Sequence, residues 1–242
     1  MKKYIVLAVM AICISTGIFA QQSSNQLVIE SMMVMPKRGM EDKFEAAALA
    51  HDKKFHPEGN YLAGLRKIEY GPKAGWYVWV MGPVPYGSLD TRPTKESGHD
   101  QDWSATVDPT IETYGSTGFW NYNPDLSFGL DLFKKAKHYE LWSVTLKPKQ
   151  YHSFKELTGK LRKAYESIGN TSFLVLENNL HFKDGPDVCL IWSFNSYGDW
   201  QKDPGPKVAY EKLYGEGSWQ NMLDDWMGMI EGYDSEIRSN IF

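Results

Sequence analysis

The stretch that decides the fold occurs twice in this chain. Residues 77–90 read YVWVMGPVPYGSLD and residues 187–200 read DVCLIWSFNSYGDW. In each, an apolar run ends at a Tyr-Gly pair and an acidic residue follows. Runs rich in β-branched and aromatic residues, bounded by Gly and Pro, are typical of strands that end in turns. Such a recurrence at a long, nearly fixed separation predicts an internal structural repeat.

A shift of 110 residues extends the match towards both ends of the halves. It aligns identical residues at four positions: Glu30 with Glu140, Val34 with Val144, Lys37 with Lys147, and Phe44 with Phe154. At the same shift, helical spacing recurs in Phe44, Ala47, Ala48, His51 and Phe55, and in Phe154, Leu157, Thr158, Leu161 and Tyr165. This i, i+3, i+4, i+7, i+11 pattern predicts one amphipathic helix in each half.

Each half reads strand, helix, strand, strand, helix, strand. We predict strands at 27–35, 65–70, 76–81 and about 122–126, and their counterparts at 139–146, 173–177, 188–194 and about 233–237. The second helix of the C-terminal half is predicted over 219–230. Its N-terminal counterpart carries Trp103, Val107, Ile111 and Tyr114, with Pro109 as its start or as a kink. This order is the ferredoxin-like βαββαβ unit.

A tandem pair of these units resembles the dimeric α/β-barrel superfamily in fused form, including antibiotic-biosynthesis monooxygenases and NIPSNAP-like proteins. The resemblance implies an α+β fold in which two repeats, 21–128 and 138–242 with a linker at 129–137, form a pseudo-dimeric α/β barrel within one chain. It further implies two facing sheets that enclose a cleft, with helices outside. Members range from haem-degrading monooxygenases to isomerases and haem-dependent dismutases, so the fold does not specify the reaction.

The N-terminus has the layout of a cleaved secretory signal. Lys2 and Lys3 precede an apolar run from Tyr4 to Ile14, and small residues lead to Ala20. The run is too short to span a bilayer, which takes about 20 residues. We therefore expect a signal peptide at 1–20 and a protein that is periplasmic or secreted, without a membrane segment after cleavage.

Charge and cysteine content limit the partners. The formal net charge is −4 and becomes more negative when the two signal lysines leave. This charge argues against nucleic acid as a partner, because phosphate binding needs a clustered excess of Lys and Arg. Outside the signal only Cys189 remains, so no intrachain disulfide forms. A packed core must supply the stability, and we expect a monomer or homodimer with a small molecule as partner.

The first strand of each half presents candidate pocket residues. Because side chains alternate along a strand, Glu30 and Met32 share one face, as do Glu140 and Trp142 in the second half. If that face lines the cleft between the sheets, the two glutamates approach one cavity, and a desolvated carboxylate there is a candidate general base. The alternative is that both glutamates meet water or a lysine near the strand ends.

Three histidines are further candidates, together with several tryptophans. His51 interrupts an apolar helix stripe, where it is either a pocket base or a buried core histidine. His56 follows five residues later, a poor spacing for a helical metal pair, which takes i, i+4. His99 lies beside Asp100 and Asp102, a cluster that could bind a metal or substrate or lie on a solvated surface. Ligand-binding roles are assigned to Trp142, Trp79, Met32, His99 and Trp103, and catalytic roles to Glu30, Glu140 and His51.

No sequence motif specifies a reaction: HExxH, CxxC pairs, a Walker loop and GxSxG are all missing from the sequence. The leading hypothesis is therefore an exported protein that binds a small organic ligand in the cleft between the sheets, or transforms it without a cofactor or metal. One alternative is a protein- or glycan-interaction protein whose barrel is filled by its own side chains. Another is a haem-binding or haem-degrading monooxygenase.

Overall fold

The computed structural model describes residues 26–181 and 185–242. The expected signal peptide, 1–20, lies outside the described residues. Eight strands are present in them: β1 Leu27–Pro36, β2 Ala63–Tyr70, β3 Tyr77–Pro85, β4 Ile111–Tyr122, β5 His138–Leu146, β6 Phe173–Asn178, β7 Val188–Phe194 and β8 Ile230–Asn240. The helices are α1 Glu41–Phe55, α2 His99–Thr106, α3 Leu130–Lys134, α4 Tyr151–Ile168, α5 Tyr197–Trp200, α6 Pro206–Tyr214 and α7 Ser218–Met229.

The strands form one closed barrel in the order β1-β3-β2-β8-β5-β7-β6-β4, with every pairing antiparallel. The first repeat contributes the run β4-β1-β3-β2 and the second the run β8-β5-β7-β6. They join where β2 pairs with β8 and where β6 pairs with β4. Closure removes the free sheet edges that each repeat would otherwise expose. The predicted intrachain pseudo-dimeric α/β barrel is therefore confirmed.

The interior of the barrel is packed with side chains from both repeats. One buried cluster combines Tyr122 of β4 with Tyr139, Leu174 and Ile191 of the second repeat. A smaller cluster joins Met33, Ile68 and Val78 of the first repeat. Because these residues point towards the barrel axis, the space between the sheets is core rather than an open cleft.

Two further cores lie between the sheets and the helices outside them. In the first repeat, α1 packs Phe44 and Ala48 onto Val34 and Tyr77. In the second, α4 and α7 pack Phe154 and Trp226 against Val144 and neighbouring strand residues. None of the helices in the described ranges is both long and apolar enough to cross a membrane.

Three element predictions need correction. The helix expected through Tyr114 ends at Thr106, and Ile111 and Tyr114 belong to β4 instead. A short 3₁₀ turn at Asp108–Thr110 separates them, since Pro109 lacks the amide hydrogen that a continuing helix needs. Consequently β4 ends at Tyr122, where a strand was expected to begin. Helix α6 was not predicted, and α3 occupies part of the expected linker.

Candidate functional site

A cavity of about 400 Å³ lies on the helix side of the first sheet, beneath α1 and α2. It is therefore separate from the packed barrel interior. Its walls combine apolar and aromatic side chains with several ionisable ones. They are Glu30, Ser31, Met32, His51, His56, Trp79, Met81, Arg92, Pro93, His99, Asp100, Trp103, Ser104 and Thr117.

The strand register explains why this space is open in the first repeat. Met32 and its neighbour Met81 occupy positions on β1 and β3 that Trp142 and Trp192 occupy on β5 and β7. The match follows from pairing, since Glu30 pairs with Met81 and Glu140 pairs with Trp192. In the second repeat the Trp142 ring lies 5.2 Å from Trp192. Two large rings thus stand where the first repeat has two methionines, whereas Trp79 of the first repeat stands where the second has Leu190.

Three histidines converge on one wall of the cavity, placed by two separate helices. His51 lies on the buried face of α1 and is 1% exposed. His56 follows the last residue of that helix, where its φ of −131° and ψ of 38° depart from helical geometry. His99 is the first residue of α2, directly after Gly98, whose φ of 82° turns the chain into the helix. The turn at each helix end brings the rings together.

One ring nitrogen from each of the three histidines lies within 4.8 Å of the others. Nε2 of His56 is 3.1 Å from Nε2 of His99. The His51 ring centre is 4.6 Å from that of His99 and 5.7 Å from that of His56. Imidazole nitrogens at such separations form a donor set of the size that holds one metal ion.

The other nitrogen of each ring, Nδ1, has an acceptor of its own. His51 Nδ1 lies 2.9 Å from Asp102 Oδ2, and His56 Nδ1 lies 3.1 Å from the Tyr61 carbonyl oxygen. His99 Nδ1 lies 2.9 Å from Asp100 Oδ1. Carboxylate and carbonyl oxygens only accept, so each Nδ1 carries the hydrogen.

Burial disfavours the positively charged form of His51 and of His56. It lowers the pKa of His56 to about 4, with His99 adding to the effect. Burial also lowers the pKa of His51, against the opposing effect of the hydrogen bond that His51 donates to Asp102. Next to His51 in the chain, burial raises the pKa of Asp52 to about 7, although both of its oxygens accept from Trp79 Nε1 at 3.1 Å. The part of the wall formed by His51 and His56 is therefore poor in positive charge at neutral pH.

Arg92 supplies positive charge on another side of the cavity. Both oxygens of Glu30 accept from Arg92 Nη1, at 2.7 and 2.6 Å. The Arg92 side chain is 44% exposed and that of Glu30 is 23% exposed, so the pair lies where the cavity meets solvent. An exposed pair of this kind can open at little cost in stability.

Six of the sequence-predicted site residues line this cavity: Glu30, Met32, His51, Trp79, His99 and Trp103. Two do not. Glu140 accepts from the Trp142 and Trp200 indoles at 2.8 Å, on the helix side of the second repeat. Strands β1 and β5 lie on opposite sides of the barrel and these faces point outward. The geometry in which Glu30 and Glu140 share one cavity is therefore not found.

The cavity also contains two residues that the sequence did not assign to a site, His56 and Arg92. The spacing rule applied to His51 and His56 assumes that both lie on a continuous helix, whereas His56 lies just beyond the end of α1. Arg92 lies in the long connection after β3, where no periodicity gives its direction. Asp100 and Asp102, close to His99 in the sequence, did indicate a site of this kind. A metal-bound histidine commonly donates its second ring N–H to a carboxylate, which orients the ring.

A second cavity of about 400 Å³ opens near Lys147, Tyr151, Glu177 and Asp187. It lies on the surface and includes His181 among its lining residues. Of its lining residues, His181 is 74% exposed and reaches Asp187 only at 3.6 Å. No convergent donor set comparable to that of the first repeat is found among its described residues.

Solved structures share this fold at low sequence identity. The "Putative monooxygenase" from Fusobacterium nucleatum subsp. nucleatum matches with a TM-score of 0.60 and 12% identity, over 90% of this chain and 93% of that one. One of the same description from Lactobacillus acidophilus gives 0.55 and 12%, over 90% and 95%. An anthrone oxidase-like protein gives 0.51 and 10%, over 91% and 94%.

Other comparisons give no match: neither a protein-family model nor a curated protein sequence resembles the chain. The solved structures thus establish the dimeric α/β-barrel fold, and identities this low extend no further than the fold.

Proposed function

We propose that this protein binds a small organic ligand in the cavity of the first repeat, between β1, β3 and the helices α1 and α2. The observation that carries the proposal is the cavity itself, about 400 Å³ in one repeat, at positions where the other repeat has two tryptophans in contact. This volume falls in the range of small-molecule sites, roughly 300–1,000 Å³. The fold neighbours described as monooxygenases and oxidase-like proteins support a role in small-molecule chemistry.

The lining indicates the chemistry of the ligand. Met32, Met81, Trp79 and Trp103 offer apolar and aromatic contact. Arg92 is the exposed cation at the mouth, and its partner Glu30 can be exchanged for an acidic group of a ligand. The ligand class that fits is a small, mostly apolar molecule that carries one acidic or strongly polar group.

The ligand site is tested by filling it. Met32→Trp installs the residue that the second repeat has at the equivalent position, whereas Val208→Trp adds the same side chain at a position that is 73% exposed. Small aromatic and aliphatic acids are screened against the full chain by ligand-observed NMR, and affinities are measured by calorimetry. We expect Met32→Trp to weaken binding more than about tenfold and Val208→Trp to leave it unchanged. Equal binding by all three proteins, or no binder for the wild type, contradicts the proposal.

More histidines converge here than a haem iron can use from one side. A haem iron offers the protein only its axial positions, one on each face of the macrocycle. Here three imidazoles converge from one side, with ring nitrogens within 4.8 Å, so at most one of them could ligate the iron. The set as a whole therefore matches a metal ion better than a haem.

Export of the mature chain is also a proposal, supported by the sequence of residues 1–20. Fractionation of cells that produce the full chain, followed by N-terminal sequencing, tests it. A mature chain that starts near Gln21 in the periplasm or medium supports export, and an uncleaved cytoplasmic chain contradicts it.

A second candidate function is recognition of a glycan or protein by exposed aromatic side chains. The packed barrel interior favours it, as do Tyr70, Tyr197 and Trp200, which are 59%, 42% and 47% exposed. The rings of Tyr70 and Tyr197 lie 6.1 Å apart. Glycan-array binding that is lost in Tyr197→Ala but kept in Met32→Trp would favour this candidate.

A further inference from the structure

We propose that His51, His56 and His99 form a binding site for one divalent transition-metal ion, with Zn²⁺ as the preferred occupant. The ion would lie in the wall of the ligand cavity. The inference deepens the proposed function, and its link to the organic ligand rests on that function. Ion binding itself stands on separate observations, and it is measured without any organic ligand.

The first observation is the spacing of the donors. Zn²⁺ binds imidazole nitrogen at about 2.0–2.1 Å in tetrahedral geometry, which places neighbouring nitrogens about 3.3 Å apart. The 3.1 Å between the Nε2 atoms of His56 and His99 is close to this value. The limit of 4.8 Å for the complete set leaves a movement of order 1 Å for the remaining ring. Rotation about side-chain torsions can supply it.

The second observation is which nitrogen of each imidazole ring carries the hydrogen. Each Nδ1 donates its hydrogen to an oxygen: Asp102 for His51, the Tyr61 carbonyl for His56, and Asp100 for His99. An imidazole that holds its single hydrogen on Nδ1 presents a bare lone pair on Nε2. The Nε2 atoms of His56 and His99 lie 3.1 Å apart, a separation at which they share either a proton or a metal ion.

The third observation is an unpartnered buried nitrogen. His51 is 1% exposed, and its Nε2 has no hydrogen-bond partner in the part of the chain that the structure describes. A buried polar atom without a partner costs about 1–3 kcal/mol. A core histidine would normally have both nitrogens satisfied, whereas a metal ligand needs this nitrogen free. The same residue aligns with Leu161 in the second repeat, so the fold does not require a polar side chain there.

The oxygen partners also match those of known imidazole sites. Metal-bound histidines usually donate their second N–H to a carboxylate or backbone carbonyl, which fixes the ring and its tautomer. All three histidines here have such a partner. Asp102 is held in turn by Lys54 Nζ at 2.7 Å, which fixes the carboxylate that orients His51.

Three imidazoles leave a tetrahedral ion with one free position. Sites with three protein ligands and a fourth exchangeable position bind water or substrate there. Because the histidines line the cavity, that position would be open to a ligand. The cavity would then offer an acidic ligand two attachments, the ion and Arg92.

The test uses the full chain purified without a polyhistidine tag, stripped with chelator and titrated with Zn²⁺. Affinity is measured by chelator competition, and stoichiometry by native mass spectrometry. Co²⁺ serves as a spectroscopic probe, since its visible absorption is intense in tetrahedral sites. The variants are His51→Leu, which copies the second repeat, and His99→Ala on the partly exposed start of α2. The control is His152→Ala, which removes a histidine that is 85% exposed.

We expect one ion per chain in the wild type and in His152→Ala. Loss of the oxygen partner that orients a metal-bound histidine already lowers metal affinity about 10–100-fold. Loss of a histidine ligand itself should therefore lower it more than about 100-fold. Circular dichroism verifies the fold of each variant. If His51→Leu does not fold, His99→Ala decides alone. Equal affinity of His99→Ala and the wild type, or no tight ion in the wild type, overturns the proposal. Because the acid screen is run on stripped protein as well, the two proposals can fail independently.

Discussion

The two repeats share a backbone plan but use its helix-facing layer differently. In the second repeat, α4 brings Leu157 and Leu161 onto a face filled by Trp142 and Trp192. In the first, α1 presents Ala47 and His51 at the aligned positions, and methionines replace both tryptophans. The space between sheet and helices is therefore a cavity in the first repeat and a packed core in the second. A duplicated fold can thus give one copy to stability and leave the other for binding.

The largest effect should come from truncating the filled layer. Trp142 packs on Trp192 and stacks on Tyr233 at 4.6 Å, so we expect Trp142→Ala to lower the free energy of unfolding by about 3 kcal/mol. Met32→Ala, which borders an existing cavity, should cost only about 1 kcal/mol. Urea unfolding of both variants measures the difference. Equal losses would mean that the two layers are packed alike.

Zinc should stabilise the first repeat specifically. At a free concentration of 100 times Kd, binding adds about 2.7 kcal/mol. For a chain of this size that is a rise in Tm of about 5–10 °C. Calorimetry of stripped and reloaded protein measures it. His51→Leu should show no rise while His152→Ala shows the full one, and a shared rise would place the ion elsewhere.

Disturbing the partners of the histidines should have a graded effect. Asp102 is 19% exposed and contacts both His51 and Lys54, whereas Asp100 is 60% exposed. We expect Asp102→Asn to weaken Zn²⁺ about 10–100-fold and Asp100→Asn to weaken it less. Glu156→Gln, beside the exposed His152, is the control and should change nothing. Chelator competition gives all three values, and a reversed order of the two Asp variants would reject the orienting role of Asp102.

The smallest effect separates the two glutamates. Glu30→Gln removes the partner of Arg92 and should change the affinity for acidic ligands several-fold. Glu140→Gln weakens two indole hydrogen bonds and should lower stability by about 1 kcal/mol without changing ligand affinity. Calorimetric titration with a bound acid, combined with urea unfolding, tests both. A change in ligand affinity in Glu140→Gln would place a binding site in the second repeat.

Much of the fold was predictable because it depends on local periodicity. Alternation and helical spacing located β1, α1 and their counterparts in the second repeat, since burial of one face leaves a direct trace in the sequence. The end of α2 was misplaced because apolar residues at helical spacing, such as Ile111 and Tyr114, also suit a strand. Tertiary pairing of β4 with β1 and β6 decided between the two.

The site was predictable only in part. His51 drew attention as a polar residue within an apolar stripe. Its convergence with His56 and His99 depends on two helix ends, at Phe55 and Gly98, which periodicity does not resolve. The direction of the Glu30 face was also undetermined, because alternation groups residues by face without indicating which face meets the helices.

Anomalous diffraction at the zinc edge, from crystals of the tag-free chain soaked in Zn²⁺, tests the central claim most directly. The claim is that the first repeat alone carries a metal-assisted binding site. We predict one strong peak about 2.0–2.1 Å from Nε2 of His51, His56 and His99, and none in the helix-facing layer of the second repeat. Soaked crystals with no peak among these three histidines, or with the main peak in the second repeat, would contradict the account.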